Sequence, residues 1–278
     1  MHLDLTDRVV VVTGAARGIG ATIAARFHAE GCRVVALDLA FDEPAAADAP
    51  AAGDGSAAGD GSAAGWEVAA GAALPFDRVR CNVADPDSVR AAVDEVVARH
   101  GTIDVLVNNA GINVEGVVAD LQWDDWRRCM DVNLGGTFLM SQAVAPVMQA
   151  AGRGRIINAA SFAAIVPSVG SAAYAASKSA VVAFTRVLAS ELGPWDITVN
   201  AYAPGMVPTA MNGFATMPAE AQDRLLDTLS LRRWETADDV ADLLVFVASD
   251  AAGYVTGTLL DVSGGKLATQ IPARAHGR

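Results

Sequence analysis

Arg8-Val9-Val10-Val11-Val12-Thr13-Gly14-Ala15-Ala16-Arg17-Gly18-Ile19-Gly20 decides the fold. An unbroken run of valines is the pattern of a parallel strand covered on both faces, and it predicts a strand from Arg8 to Val12. The glycines between Thr13 and Gly20 then predict a tight turn, after which Ile19, Ile23, Ala24 and Phe27 recur at helical spacing. A second strand, Arg33 to Leu37, ends at Asp38. The order is strand, glycine turn, helix, strand, with an acid closing the second strand.

Working outward, the same rhythm repeats. A strand is expected near Val79 to Cys81, then a helix with Val89, Val93, Val96 and Val97 on one face. Strands at Ile103 to Val107 and Arg155 to Asn158 precede a helix that carries Tyr174 and Lys178 and extends to about Leu192. A strand at Thr198 to Tyr202, a helix with Val240, Leu243, Leu244 and Val247, and a strand at Thr258 to Val262 complete the chain. Alternation of this kind predicts an α/β protein: one doubly wound parallel sheet with helices on both faces. The 278 residues, 52% of them hydrophobic, can build one large core, and no second core is evident, so 1–278 reads as a single domain.

Residues 42–75 interrupt the rhythm. Ala51-Ala52-Gly53-Asp54-Gly55-Ser56 repeats as Ala57-Ala58-Gly59-Asp60-Gly61-Ser62 and begins again at Ala63. Such low-complexity Ala/Gly/Asp content buries too little surface to offset the entropy of ordering, so a mobile inserted loop is expected. Neutral expansion of a surface loop is the main reading. A flap over the adenosine end of a cofactor is the other, with Trp66 as its anchor.

The formal charge of −12 argues against nucleic acid and anionic membranes as partners and leaves small molecules. Met1-His2-Leu3-Asp4-Leu5 has neither the basic nor the apolar segment of a secretory signal, which gives a cytoplasmic expectation. The stretch from Ile156 to Ser177 lacks charge, but Asn158, Pro167 and Gly170 interrupt it, so strand, loop and helix describe it better than a membrane span. Cys32, Cys81 and Cys129 match no zinc or disulfide spacing, and the four histidines form no ligand pair; no metal is expected.

The chemistry lies in two constellations. A glycine turn after a first strand, with an acid ending the second, is the arrangement that holds a dinucleotide: backbone approaches the pyrophosphate at a helix start, and the carboxylate meets the adenosine ribose. Asp38 repels a 2′-phosphate and so selects NAD, although Arg17 in the turn could receive that phosphate. In the second constellation Tyr174 and Lys178 stand four residues apart on one helical face, with Ser161 thirteen residues upstream of Tyr174. An ammonium at about 4 Å would favour the phenolate by roughly 4 kcal/mol at an effective dielectric near 20. A phenol so assisted can exchange a proton near neutrality.

With the glycine turn, Asn108-Asn109-Ala110-Gly111, Asn133, Ser161, Tyr174 and Lys178 in this order, the chain resembles the short-chain dehydrogenase/reductase family from about Leu5 to Gly265. Further matches are Pro204-Gly205-Met206-Val207-Pro208-Thr209 and Gly257 to Gly265. The resemblance implies a Rossmann fold and an NAD-dependent oxidoreductase. Tyr174 would be the acid/base, Ser161 would hold the substrate oxygen, Lys178 would bind the nicotinamide ribose and lower the tyrosine pKa, and Asn133 would support a proton-relay water. The cofactor would be lined by Gly14, Arg17, Gly18, Ile19, Gly20, Asp38, Asn109, Ala110 and Pro204. Asn82-Val83 would meet adenine, and Val207 and Thr209 would grip the carboxamide. Ser263 stands where the family commonly has an acid.

Phe162, Ala163, Ile165, Val166, Met206, Met211, Phe214 and Met217 suggest an apolar substrate chamber, with Arg232 and Arg233 structural or solvated. The expected substrate is a neutral secondary alcohol or ketone, alternatively a polyol or sugar. A non-catalytic NAD-binding sensor or scaffold is the rival from another class, since it would keep Asp38 without needing Tyr174. A sugar epimerase usually needs an added substrate domain, for which Thr209 to Lys266 leaves little room. The apolar helix of Tyr174 and the resemblance together imply a homo-oligomer, a dimer or a tetramer.

Overall fold

The structure, a computed structural model of the chain, describes residues 3–41, 75–209 and 214–277. Seven strands form one sheet in the order β3-β2-β1-β4-β5-β6-β7, and every neighbouring pair is parallel. They are β1 (Val9–Thr13), β2 (Arg33–Asp38), β3 (Asp77–Arg80), β4 (Val105–Asn108), β5 (Gly154–Ala159), β6 (Ile197–Ala203) and β7 (Leu259–Asp261). The sequence places each of them to within two residues. β1 is buried along its whole length, as an uninterrupted valine run requires. The strand order reverses between β1 and β4, the switch point beyond whose carboxyl strand ends open α/β sheets take their ligands.

Helices cover both faces. α1 (Gly18–Ala29) and the late helix α7 (Ala237–Ala248) pack on one side, where Phe27, Val240, Leu244 and Val245 join Val10 and Val12. α2 (Pro86–His100), α4 (Gly136–Ala151) and α5 (Ala172–Leu192) cover the other, where Val89, Val96, Met140 and Val144 join Val9 and Val11. Each fully buried valine contributes roughly 1.5–3 kcal/mol by leaving water. The valine run thus welds both layers.

Three helices were not expected from the sequence. α3 (Trp123–Met130) and α6 (Ala219–Leu226) are short and mostly exposed, while α4 contains Pro146 and carries small and apolar residues on most sides, which blurs its period. Between α3 and α4 one wide π-helical turn spans Asp131–Gly135. Apart from Pro75, the 42–75 insertion lies outside the described residues, as do Trp66 and Met211. Among the described residues no helix is long and apolar enough to cross a membrane.

Gly20 shows how tightly the first helix sits on its turn: a Cβ there would lie 2.1 Å from the Gly14 carbonyl oxygen and 2.5 Å from Asn109 Nδ2. Gly20→Ala is therefore expected to destabilise the fold by about 2 kcal/mol or more, read as a fall in the urea midpoint with an unchanged slope.

Candidate active site

Four side chains assemble where β4, β5, α5 and the π turn meet. β5 delivers Ser161 just past its end, and Ser161 is 9% exposed. α5 presents Tyr174 and Lys178 on one face, and the π turn presents Asn133. Such single wide turns are frequent at functional sites, and Asn133 stands in the middle of this one. Asn133 is 0% exposed.

Lys178 is buried, and its ammonium donates to the Ala159 carbonyl oxygen at 2.8 Å. Its Nζ also lies 5.8 Å from the centroid of the Tyr174 ring. A Cβ on Gly111 would fall 3.2 Å from Asn133 Oδ1 and 3.3 Å from Lys178 Nζ, so both polar groups border that glycine. Asn133 is fully engaged. Its Oδ1 accepts the Ile112 N–H at 2.8 Å, and its Nδ2 donates to Ile112 O and Ser177 Oγ at 3.0 Å each. Ser177 in turn donates to Tyr174 O at 2.7 Å. Asn133 therefore ties the segment after β4 to the helix of Tyr174.

The electrostatics differ from the sequence expectation at one point. Burial pushes the Tyr174 phenol up from its ordinary value, the Ser161 hydroxyl pulls it down, and Cys129 adds a smaller upward push. The expected pull from Lys178 is not among these effects. The reason is visible in the geometry: the ammonium is directed at Ala159 O, and burial lowers its own pKa to about 8. Desolvation disfavours the charged form of both groups.

The glycine turn lies at the carboxyl end of β1. Gly14 and Gly18 have φ of 65° and 58°, a region side chains rarely adopt. A Cβ on Gly18 would meet nothing within 4 Å, so the surface above the start of α1 is open. The cap residue Arg17 makes no side-chain hydrogen bond there, which leaves first-turn N–H groups available. An open, uncapped helix start beside left-handed glycines fits a pyrophosphate. Arg17 itself is exposed, and Ile19 is partly buried against the core.

Other expected cofactor residues have structural partners. Asp38 accepts the N–H groups of Ala16 and Ala40, both at 3.0 Å, so the acid is pinned to the glycine turn. Asn109 holds that turn, donating to Thr13 O and Gly14 O, and Ala110 N–H bonds the Thr13 hydroxyl. Asn82 Oδ1 accepts the Ala84 N–H, and Val83 packs against Gly136. Pro204 O accepts the Phe162 N–H at 2.9 Å, Val207 is 5% exposed, and Thr209 ends the second described segment.

The expected chamber divides. Ile165 and Val166 are 42% and 41% exposed, whereas Met206 at 1% is core and Phe162 at 5% is covered by the Lys266 ammonium, 5.0 Å from its ring. Phe214 stacks on Trp234 at 5.6 Å. Arg232 pairs with Asp223 and Asp227, and Arg233 pairs with Asp239. Ser177, Tyr202 and Glu235 were not singled out from the sequence. Ser177 shares the Tyr-to-Lys segment, which was the available signal; an isolated acid before a helix gives none. Among the described residues no three metal-ligating side chains converge.

Residues 14–266 match the family model described as enoyl-(acyl carrier protein) reductase. The chain belongs to the short-chain dehydrogenase/reductase family. It is similar to the 3-oxoacyl-[acyl-carrier-protein] reductase FabG of Thermotoga maritima, 34% identical over 95% of this chain and 99% of that one. It is also similar to D-threitol dehydrogenase of Mycolicibacterium smegmatis, 39% identical over 94% and 93%. Among solved structures, the ligand-free aldohexose dehydrogenase of Thermoplasma acidophilum superposes with a TM-score of 0.81 at 30% identity, covering 97% of each chain. This short-chain dehydrogenase/reductase is thus an oxidoreductase acting on CH–OH groups, moving a hydride between a nicotinamide cofactor and an alcohol or ketone.

The bonds of Asn133 generate a prediction. Asn133→Ala leaves the part-buried Ile112 N–H without its partner and its carbonyl with only the Cys129 thiol at 4.0 Å, and is expected to cost about 1–3 kcal/mol in chemical denaturation, more than an exposed asparagine would.

Proposed function

We propose that this chain, acting as one domain within a homo-oligomer, oxidises or forms a neutral secondary alcohol with NAD as cofactor and Tyr174 as the acid and base. The observation that carries this reading is the meeting of Ser161, Tyr174 and Lys178 beyond the end of β5, where Lys178 bonds Ala159 O and lies 5.8 Å from the Tyr174 ring. When bound, nicotinamide supplies or accepts the hydride. Ser161 and Tyr174 present two hydroxyl donors to the substrate oxygen, stabilising the charge that develops there. In reduction Tyr174 gives its proton to that oxygen; in oxidation it takes the proton back. A buried phenol is protonated at neutrality and therefore ready for reduction. Oxidation needs the phenolate, toward which the Ser161 hydroxyl pulls the phenol while burial opposes it. Asn133 keeps the Tyr174 helix and the Ile112 segment in register, the position from which it would support a relay water.

Asp38 supports NAD over NADP. Its carboxylate is fixed at the end of β2, and a 2′-phosphate beside it would bring like charges together. Arg17 pairs with no acid among the described residues and is the counterweight. The exposed Ile165 and Val166 support a neutral, partly apolar substrate. A polyol or sugar is the second reading, favoured by the names of the D-threitol and aldohexose relatives. For assembly, the support is the outer face of α4 and α5, where Phe138 and Val187 are 43% and 58% exposed and Phe138 meets Phe184 edge-on.

Tyr174→Phe is expected to lower NAD reduction by secondary alcohols and polyols at least about 100-fold while the NADH dissociation constant moves less than about twofold; unchanged turnover would remove the acid/base. In Asp38→Ser the ratio of NADPH to NADH affinity should rise about tenfold by titration calorimetry, and an unmoved ratio would pass the selection to Arg17.

A further inference from the structure

Glu235 is a buried acid outside the constellation above. It stands one residue before Thr236, the cap of α7, and is 6% exposed. Its Oε2 accepts the Gly205 N–H at 2.5 Å, while Oε1 is buried with no partner among the described residues. A buried carboxyl with a single hydrogen bond is worse for stability than an apolar side chain of the same shape. The fold bears this cost at one particular peptide.

That peptide matters because both of its polar ends are used. Gly205 N–H points to Glu235, and the Pro204 carbonyl of the same unit accepts the N–H of Phe162, the residue after Ser161. Hydrogen bonds in such a chain polarise and orient one another. Glu235 N–H also returns to Met206 O at 3.3 Å, and the far side of Gly205 rests on Ser263, which a Cβ would meet at 2.9 Å. Next to it, Trp234 stacks on Phe214 at an interplanar angle of 13°. The start of the loop after β6 is thus clamped from the α7 side.

We propose that Glu235 is a positioning residue for the nicotinamide end of the site: through Gly205 it sets the loop carrying Val207 and Thr209 and, through Pro204, the backbone beside Ser161. This rests on the reading of that loop as the carboxamide grip. Burial pushes the carboxyl up to about 8, with Gly205 N–H pulling it down, Asp239 and Asp261 pushing up, and Arg233 pulling down. Burial thus favours its neutral form, and Ser263, with a hydroxyl that accepts Lys266 N–H, leaves the acceptor role at Gly205 to Glu235.

The test compares two ligands on the full-length protein. NADH carries the nicotinamide end, and ADP-ribose lacks it. Glu235→Ala should weaken NADH about tenfold and leave ADP-ribose within about twofold. Glu235→Gln, a neutral isostere that still accepts from Gly205, should bind both as the wild type does and melt within a few degrees of it. Thr209→Val, measured alongside, should also weaken NADH selectively. Proportional loss of both ligands in Glu235→Ala, or a glutamine variant as weak as alanine, would overturn the assignment. If Thr209→Val weakens NADH and Glu235→Ala does not, Glu235 falls and the loop reading stands; if neither does, the loop reading itself fails.

Discussion

Parallel strands end in backbone groups that no neighbour pairs, and the site stands on how those ends are closed. One knot does most of it. The Thr13 hydroxyl at the end of β1 donates to Val107 O and accepts the N–H groups of Asn109 and Ala110 beyond β4. Asn109 returns two bonds to the glycine turn, and the buried Tyr202 of β6 donates to Asn109 Oδ1 at 3.1 Å. Three strands and the turn are fixed through four residues. Behind them Asn108 donates to Asn158 and Ser141, carrying the same closure to β5 and α4. Without this knot the open surface above Gly18 would have no defined distance from Ser161.

A second constraint is the burial of charge. Lys178 has no carboxylate partner among the described residues; it has a carbonyl, and that is enough to orient it but not to hold its pKa at the ordinary value. Tyr174 feels the same desolvation with the opposite sign. The resting site thus pushes both groups toward neutrality, so the phenol holds its proton until a substrate oxygen is there to take it. A surface pair at the same helical spacing would be screened by solvent and would keep nearly equal pKa values, each about 10. Burial by Asn133, Ser177 and Cys129 makes this Tyr-to-Lys pair chemically different from the many that decorate other helices.

Most of the sheet could be read from the sequence because its strands are two-sided and apolar: the period is unmistakable when every residue from Val9 to Val12 is buried. Ser161, Tyr174 and Lys178 were legible for a related reason, since position after a strand or along one helix follows from local spacing. What stayed hidden depends on contacts between distant segments. The π turn is invisible in Asp131 to Gly135, and with it the direction of Asn133. The upward push on Tyr174 could not be read from a spacing of four, because spacing gives proximity and not burial. α4 was missed because its apolar residues run around most of the helix, as they must where it faces both the sheet and its neighbours.

Glu235 belongs to that hidden class. In the sequence it stands alone before α7, two residues ahead of a helix whose first turn carries Asp238 and Asp239. Asp239 closes a capping box with Thr236 and takes both forks of Arg233, so its negative charge is matched. Glu235 faces inward and is matched by one backbone N–H. The difference between two acids four residues apart is which side of the helix start each occupies. The outer one stabilises the helix; the inner one gives its single strong bond to the loop between Ser161 and Val207. Thus the cap of α7 fixes the helix, and the residue before it joins that helix to the two segments that border the reacting centre.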